Sequence, residues 1–118
     1  MNPRTSMGNT ATFIAKYLKI ANYDSKLFKI VEVNKDHKLL SKFVKMWEGT
    51  KMIYLKDKYL NEKHTPLNLH DYYKFQVYFE QFTNNEGKDI VYINKIRHKS
   101  VEYQEKVYMH SDEDSSDF

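Results

Sequence analysis

Cysteine is absent from the 118 residues. Its absence excludes disulfides, thiolate catalysis, cysteine-rich zinc sites and iron–sulfur clusters, and fits a reducing compartment. Glycine is scarce: Gly8, Gly49 and Gly87 stand too far apart for a P-loop or a dinucleotide-binding turn. No apolar run approaches the roughly 18 residues that would suggest a membrane-spanning helix. Residues 1–9 lack the apolar core of a signal peptide. The five histidines are scattered, and none has the i, i+4 spacing of a helical zinc pair. His64, His70 and Asp71 are close in sequence but make a thin case for a metal site. Serine and threonine stand in no nucleophile-elbow context, and the carboxylates occur singly among lysines. Neither catalysis nor a metal or other cofactor is expected.

What is abundant is aromatic side chain and lysine. Ten Tyr, seven Phe and one Trp make up 15% of the chain. The net charge is +3, but it is unevenly spread. Residues 111–118 hold four acids (Asp112, Glu113, Asp114 and Asp117), no base, and end in Phe118. Without them, 19 basic and 12 acidic residues leave the rest of the chain at +7. A basic body of this size attracts polyanions, nucleic acid first. Arginine occurs only at Arg4 and Arg97. Lysine meets phosphate as a point charge, whereas arginine reads guanine through two bonds, so the composition favours binding that ignores base sequence.

Patterning divides the chain into strands. Residues 12–21 (TFIAKYLKIA) and 26–33 (KLFKIVEV) read as strands around a turn at Asn22, Tyr23, Asp24 and Ser25. Residues 39–47 (LLSKFVKMW) fit a strand better than a helix, because a short turn after a clear strand suggests a hairpin. Residues 50–60 fit either a strand through Leu55 or a short helix through Leu60. Residues 71–83 alternate most clearly, with Tyr73, Phe75, Val77 and Phe79 opposite Tyr72, Lys74, Gln76, Tyr78 and Glu80. A hairpin turn at residues 84–88, with Gly87 in the left-handed conformation, leads to a last strand over residues 89–99. Phe75, Val77, Phe79, Val91 and Ile93 are the expected core.

About five strands in one small domain must close their sheet or cover its edges. The expected fold is all-β: an OB-fold-like five-stranded Greek-key barrel, with room for one short helix, and an SH3-like barrel as its rival. It would span residues 12–100, between a flexible arm over residues 1–11 and a polar, then acidic, tail over residues 101–118.

Aromatics interleaved with lysine are the strongest functional pattern. Single-stranded nucleic acid needs this pairing: flat rings stack exposed bases and cations neutralise phosphates. The instances are Lys16-Tyr17-Leu18-Lys19, Lys42-Phe43-Val44-Lys45-Met46-Trp47, Tyr54-Leu55-Lys56, Lys58-Tyr59, Tyr72-Tyr73-Lys74, and Tyr92 with Lys95. On the strand reading, Phe43, Lys45 and Trp47 form an exposed stripe; on the helix reading, Phe43 and Trp47 are core. Tyr17, Phe43, Trp47 and Tyr54 are the candidate stacking rings. Lys16, Lys19, Lys45, Lys56 and Lys58 are the candidate phosphate contacts. The acids Asp112, Glu113, Asp114 and Asp117 with Phe118 suit docking into a basic-rimmed apolar pocket of a partner protein.

This body and tail together resemble the single-stranded-DNA-binding proteins of phages and bacteria. The final hairpin, DYYKFQVYFEQFTNNEGKDIVYINKI, is similar to that of small phage versions such as those of lactococcal phages. The tail departs from the usual bacterial one, since Ser115 and Ser116 stand where a proline precedes the last apolar residues. The resemblance implies an OB-fold, a homo-oligomer (dimer or tetramer), single-stranded DNA as ligand, recombination or replication proteins as partners of the tail, no membrane, and a place in the cytoplasm, that of the host for a phage protein. An RNA-binding OB-fold protein and a β-barrel protein-interaction module are the rival expectations.

Overall fold

The computed structural model describes residues 8–35 and 38–106. They form an all-β fold: six antiparallel strands in one sheet, with two short 3-10 turns as the only helical elements. The strands are β1 (Gly8–Ile20), β2 (Ser25–Lys35), β3 (Val44–Trp47), β4 (Thr50–Lys56), β5 (Tyr72–Thr83) and β6 (Asp89–Val101). Their order across the sheet is β3-β4-β2-β1-β5-β6. Hairpins join β1 to β2, β3 to β4 and β5 to β6, and the loop after β4 carries the chain back to set β5 beside β1.

Strand alternation decides which face is buried. Ala11, Phe13, Ala15 and Tyr17 of β1 point inward, with Phe28 and Ile30 of β2, Ile53 and Leu55 of β4, and Tyr73, Phe75, Val77 and Phe79 of β5. Phe13 lies directly across from Phe75, and their rings stack at 5.3 Å. Phe28 meets Phe75 edge-on at 4.9 Å. Burial of each such ring stabilises the fold by about 1.5–3 kcal/mol. Of the expected core, Phe75, Val77 and Phe79 are fully buried, while Val91 and Ile93 pack half-buried against them.

The register between β1 and β2 shifts at three points, Thr12/Phe13, Ile14/Ala15 and Tyr17/Lys19. Such bulges bend a strand and sharpen its twist. The sheet curls accordingly: Phe43, beside the β3 flank, stacks on Phe79 of β5 with ring centres 6.0 Å apart. Leu40 and Leu60 belong to the same buried cluster. The loop after β4 is anchored by ion pairs from the buried Lys26 ammonium to Asp57 (2.7 Å) and Glu62 (2.9 Å). Burial opposes the charge on Lys26, but these two carboxylates outweigh it and hold its pKa above the usual lysine value.

Several expectations need correction. The strand count is six, because Val44–Trp47 and Thr50–Lys56 are both strands, and residues 39–47 divide. Their first part is a 3-10 turn over Lys38–Lys42, and only Val44–Trp47 is strand. Residues 50–60 combine both readings: β4 runs through Lys56 and a 3-10 turn, Asp57–Tyr59, follows. β1 begins at Gly8, so residues 8–11 belong to the body rather than to an arm. Nor are residues 102–106 a loose tail. Tyr103 packs on Tyr72 (ring centres 5.3 Å apart), and Glu105 accepts hydrogen bonds from Lys29 (2.8 Å) and the Tyr72 hydroxyl (2.5 Å). The turn before β6 agrees with its sequence: Gly87 has φ +79° and donates its N–H to the Asn84 carbonyl at 3.0 Å.

Candidate nucleic-acid interface

The β3–β4 hairpin carries most of the candidate residues. Its two-residue turn, Glu48-Gly49, has φ of 49° and 80°. Both values are positive, as the tight hairpin turn that matches strand twist requires. Trp47 pairs with Thr50 and Lys45 with Met52, so Lys45 and Trp47 project from the same face of β3. That face is the outer one, since Ile53 and Leu55 take the inner positions of β4.

Trp47 is 65% exposed, Met46 62% and Tyr54 42%. The Lys45 ammonium sits over the Tyr54 ring, 5.6 Å from its centre. Leu18, Lys19, Leu27, Lys45, Met46, Trp47, Met52 and Tyr54 line an open depression of about 510 Å³. A second depression of about 520 Å³ adjoins it, lined by Asn22, Ser25, Lys42, Phe43, Lys45, Tyr54 and Lys56. Lys45 and Tyr54 belong to both. A narrower apolar groove of about 250 Å³ then runs between β4 and β6, with Lys56, Lys58, Tyr59 and Tyr92 among its lining residues. The Lys58 ammonium lies 5.2 Å from the centre of the Tyr59 ring.

The lysines of this surface stand outside the ion pairs of the described residues. Among the described residues the ion pairs are those of Lys26 and Lys29, so Lys19, Lys42, Lys45, Lys56 and Lys58 have no carboxylate partner. Asp57, between Lys56 and Lys58 in sequence, is engaged by Lys26. The surface therefore combines exposed rings with cations that pair with no carboxylate of the described residues.

Seven of the nine candidates thus converge: Lys19, Phe43, Lys45, Trp47, Tyr54, Lys56 and Lys58. Two of the rings among the nine do not serve as drawn. Tyr17 is 4% exposed and packs on Phe28 at 5.4 Å, so it offers no face to a base. Burial pushes its hydroxyl pKa up. Phe43 edges the surface, but one face of its ring is taken by Phe79. The stripe reading of Phe43 assumed strand alternation through residues 43–47, and the strand starts only at Val44. Lys16 lies elsewhere on the outer face, with its ammonium 5.8 Å from the centre of the Tyr72 ring. The acids Asp112, Glu113, Asp114 and Asp117 and the terminal Phe118 lie outside the described residues.

Sequence reasoning missed Met46, Met52 and Leu18 as parts of the surface, although Met46 and Met52 flank the named aromatics. It also missed the cover made by Tyr103 and Glu105. There Tyr72 is pushed up to about 12 by burial and by its bond to Glu105. The Lys29 and Tyr72 hydrogen bonds hold the Glu105 carboxyl below its usual value.

Among the described residues no cluster of His, Asp or Glu could hold a metal ion, and no helix is long and apolar enough to cross a membrane. No family model, curated protein or solved structure matches the chain.

Proposed function

We propose that this chain is a single-stranded-DNA-binding protein that coats DNA without sequence preference during phage DNA replication, recombination or repair. The observation that carries the reading is the face shared by Lys45, Trp47 and Tyr54: exposed rings beside cations with no carboxylate partner among the described residues. Stacking on such rings is worth about 1–3 kcal/mol per base and tolerates any base. Lys19, Lys42, Lys56 and Lys58 would neutralise the phosphates on either side. The OB-type barrel is part of the same proposal. The partial order β5-β1-β2-β4 follows a Greek key, with β3 added at the edge, and the ring of Phe43 bridges toward β5. The tail acids and Phe118 would recruit a replication or recombination protein, and the chain would act as a homo-oligomer.

The test uses the single tryptophan. Oligo-dT is titrated into the protein at several salt concentrations while Trp47 fluorescence is followed, with duplex DNA and a matched RNA as competitors. The proposal expects strong quenching, preference for single-stranded DNA, and affinity that falls as salt rises. No binding at low salt would overturn it. That outcome would favour a second reading, in which the same face docks a protein. Met46 beside Trp47 supports this alternative, since exposed methionine and tryptophan are enriched at protein interfaces.

A further inference from the structure

The outer face of the β5–β6 hairpin holds a second basic surface, distinct from the β3–β4 face. Lys74 stands directly across from Lys99, Gln76 from Arg97 and Tyr78 from Lys95. Like charges placed opposite one another across a strand pair destabilise it. The fold meets the same situation once more, where Lys16 stands opposite Lys29 on β1 and β2. There the chain supplies its own remedy, because Glu105 reaches Lys29 at 2.8 Å. No carboxylate among the described residues forms an ion pair with Lys74, Lys95, Arg97 or Lys99. Glu80, at the tip end of the strip, accepts a hydrogen bond from Asn94 at 3.1 Å.

Two of the cations are held in place. The Lys95 ammonium and the Arg97 guanidinium lie 5.0 and 5.9 Å from the centre of the Tyr78 ring. Ordering them beforehand lowers the entropy cost of binding. Lysines on an edge strand also deter pairing with other chains. That role does not require Lys74, which is on β5, nor a stacked Arg97. Tyr78 is half-buried beneath its cations, so the strip lacks an open ring for base stacking. Along each strand, alternate residues repeat at about 6.8 Å. This spacing suits successive phosphates of an extended backbone.

We propose that this strip is a second phosphate-binding surface, which holds the sugar-phosphate backbone of a base-paired stretch of nucleic acid. It rests on the proposed function only in taking nucleic acid as the polyanion. One chain would then grip single-stranded DNA through Trp47 while holding a second segment on the hairpin.

The experiment compares the full chain with a variant carrying Lys74→Gln, Lys95→Gln, Arg97→Gln and Lys99→Gln. Each is tested with a short blunt duplex at low salt and, separately, with short oligo-dT. The wild type should bind the duplex without a change in Trp47 fluorescence. The variant should lose at least about tenfold in duplex affinity, and its log–log salt slope should fall by up to about 3–4, as expected for four lost phosphate contacts. Its quenching by oligo-dT should be unchanged. A double variant at the exposed pair, Lys95→Gln and Arg97→Gln, should lose about half of that slope and guards against misfolding of the quadruple one. No duplex binding by the wild type, or equal duplex affinity in all three proteins, would overturn the second surface. Absence of oligo-dT quenching in every protein would instead overturn the Trp47 face, whatever the duplex does.

Discussion

The Lys45 ammonium lies 5.6 Å above the centre of the Tyr54 ring, and the two side chains come from neighbouring strands. The cation is thus held near one edge of an open ring surface, while Trp47, two residues on, leaves 65% of its surface free. Trp47→Ala should weaken oligo-dT binding by about 1–3 kcal/mol, roughly 5- to 150-fold, through loss of one stacked base. Its melting temperature should barely move, because little apolar surface is lost from the core. Isothermal titration on the folded variant checks this. Unchanged affinity would remove Trp47 from the interface.

The turn that presents Trp47 is strained at one position. Glu48 has φ of 49°, a left-handed conformation that side chains other than Gly, Asn and Asp adopt at a cost of about 1–2 kcal/mol. Asn-Gly is the preferred pair for this turn. Glu48→Asn should therefore stabilise the protein by about 1 kcal/mol, raising the melting temperature by roughly 4 °C. It also removes an acid beside Trp47, so oligo-dT affinity should hold or rise. Thermal unfolding with no upward shift would contradict the assignment of strain.

Phe43 separates two readings of its segment. Its ring stacks on Phe79 at 6.0 Å and packs against the core. Phe43→Ala should cost about 2–3 kcal/mol of stability, somewhat less than the loss of a fully buried phenylalanine. Tyr54→Ala should show the opposite profile: a small stability change and a clear loss of oligo-dT affinity. Chemical denaturation and titration of both variants distinguish packing from contact. A destabilised Tyr54→Ala with normal binding would exchange their roles.

The contrast between these two rings shows how far the sequence could be read. Where alternation was unbroken, as in β5, the residues named the buried face correctly: Phe75, Val77 and Phe79 are core. Lys45, Trp47 and Tyr54 also share an exposed face, because each sits within a regular strand. The assignment failed at Tyr17 and Phe43 for physical reasons. Tyr17 has Lys16 beside it and Lys19 two residues on, but its own side chain takes an inward position on β1. Phe43 belongs to a turn, and strand spacing does not apply to a turn. The cover by Tyr103 and Glu105 was illegible, since it depends on partners more than thirty positions away in sequence. The strip of Lys74, Lys95, Arg97 and Lys99 was likewise hidden until the register set lysine against lysine.

Lys26 is the buried cation among the described residues, paired with Asp57 and Glu62. Lys26→Ala should cost about 1–3 kcal/mol, as expected for lost charge-assisted hydrogen bonds. The carboxylates, each partly open to water, are not stranded by the change. Because the folded lysine pKa is raised, its contribution is complete below the ordinary lysine range and fades as pH rises through the folded value. The difference in unfolding free energy between wild type and variant should therefore be flat at neutral pH and shrink only in strong alkali.

Glu105 supplies the acid counterpart. Hydrogen bonds from Lys29 and Tyr72 hold its carboxyl below the usual value, so the folded state favours the ionised form. Its contribution is present above the ordinary carboxylate pKa and is lost as pH falls through the lowered folded value. Tyr72 has the opposite sign. Burial and the bond to Glu105 raise its hydroxyl to about 12, so its share persists below the ordinary tyrosine value of 10.0 and disappears as pH climbs toward 12. Glu105→Gln keeps the shape and removes the charge. It should cost about 1 kcal/mol at neutral pH, a small amount because both partners of the ion pair are partly solvated. The difference from wild type should narrow in acid, below the ordinary carboxylate range. Unfolding curves at a series of pH values measure this directly. A difference that stays constant into strong acid would mean that the carboxylate charge does not hold residues 102–106 against β2 and β5.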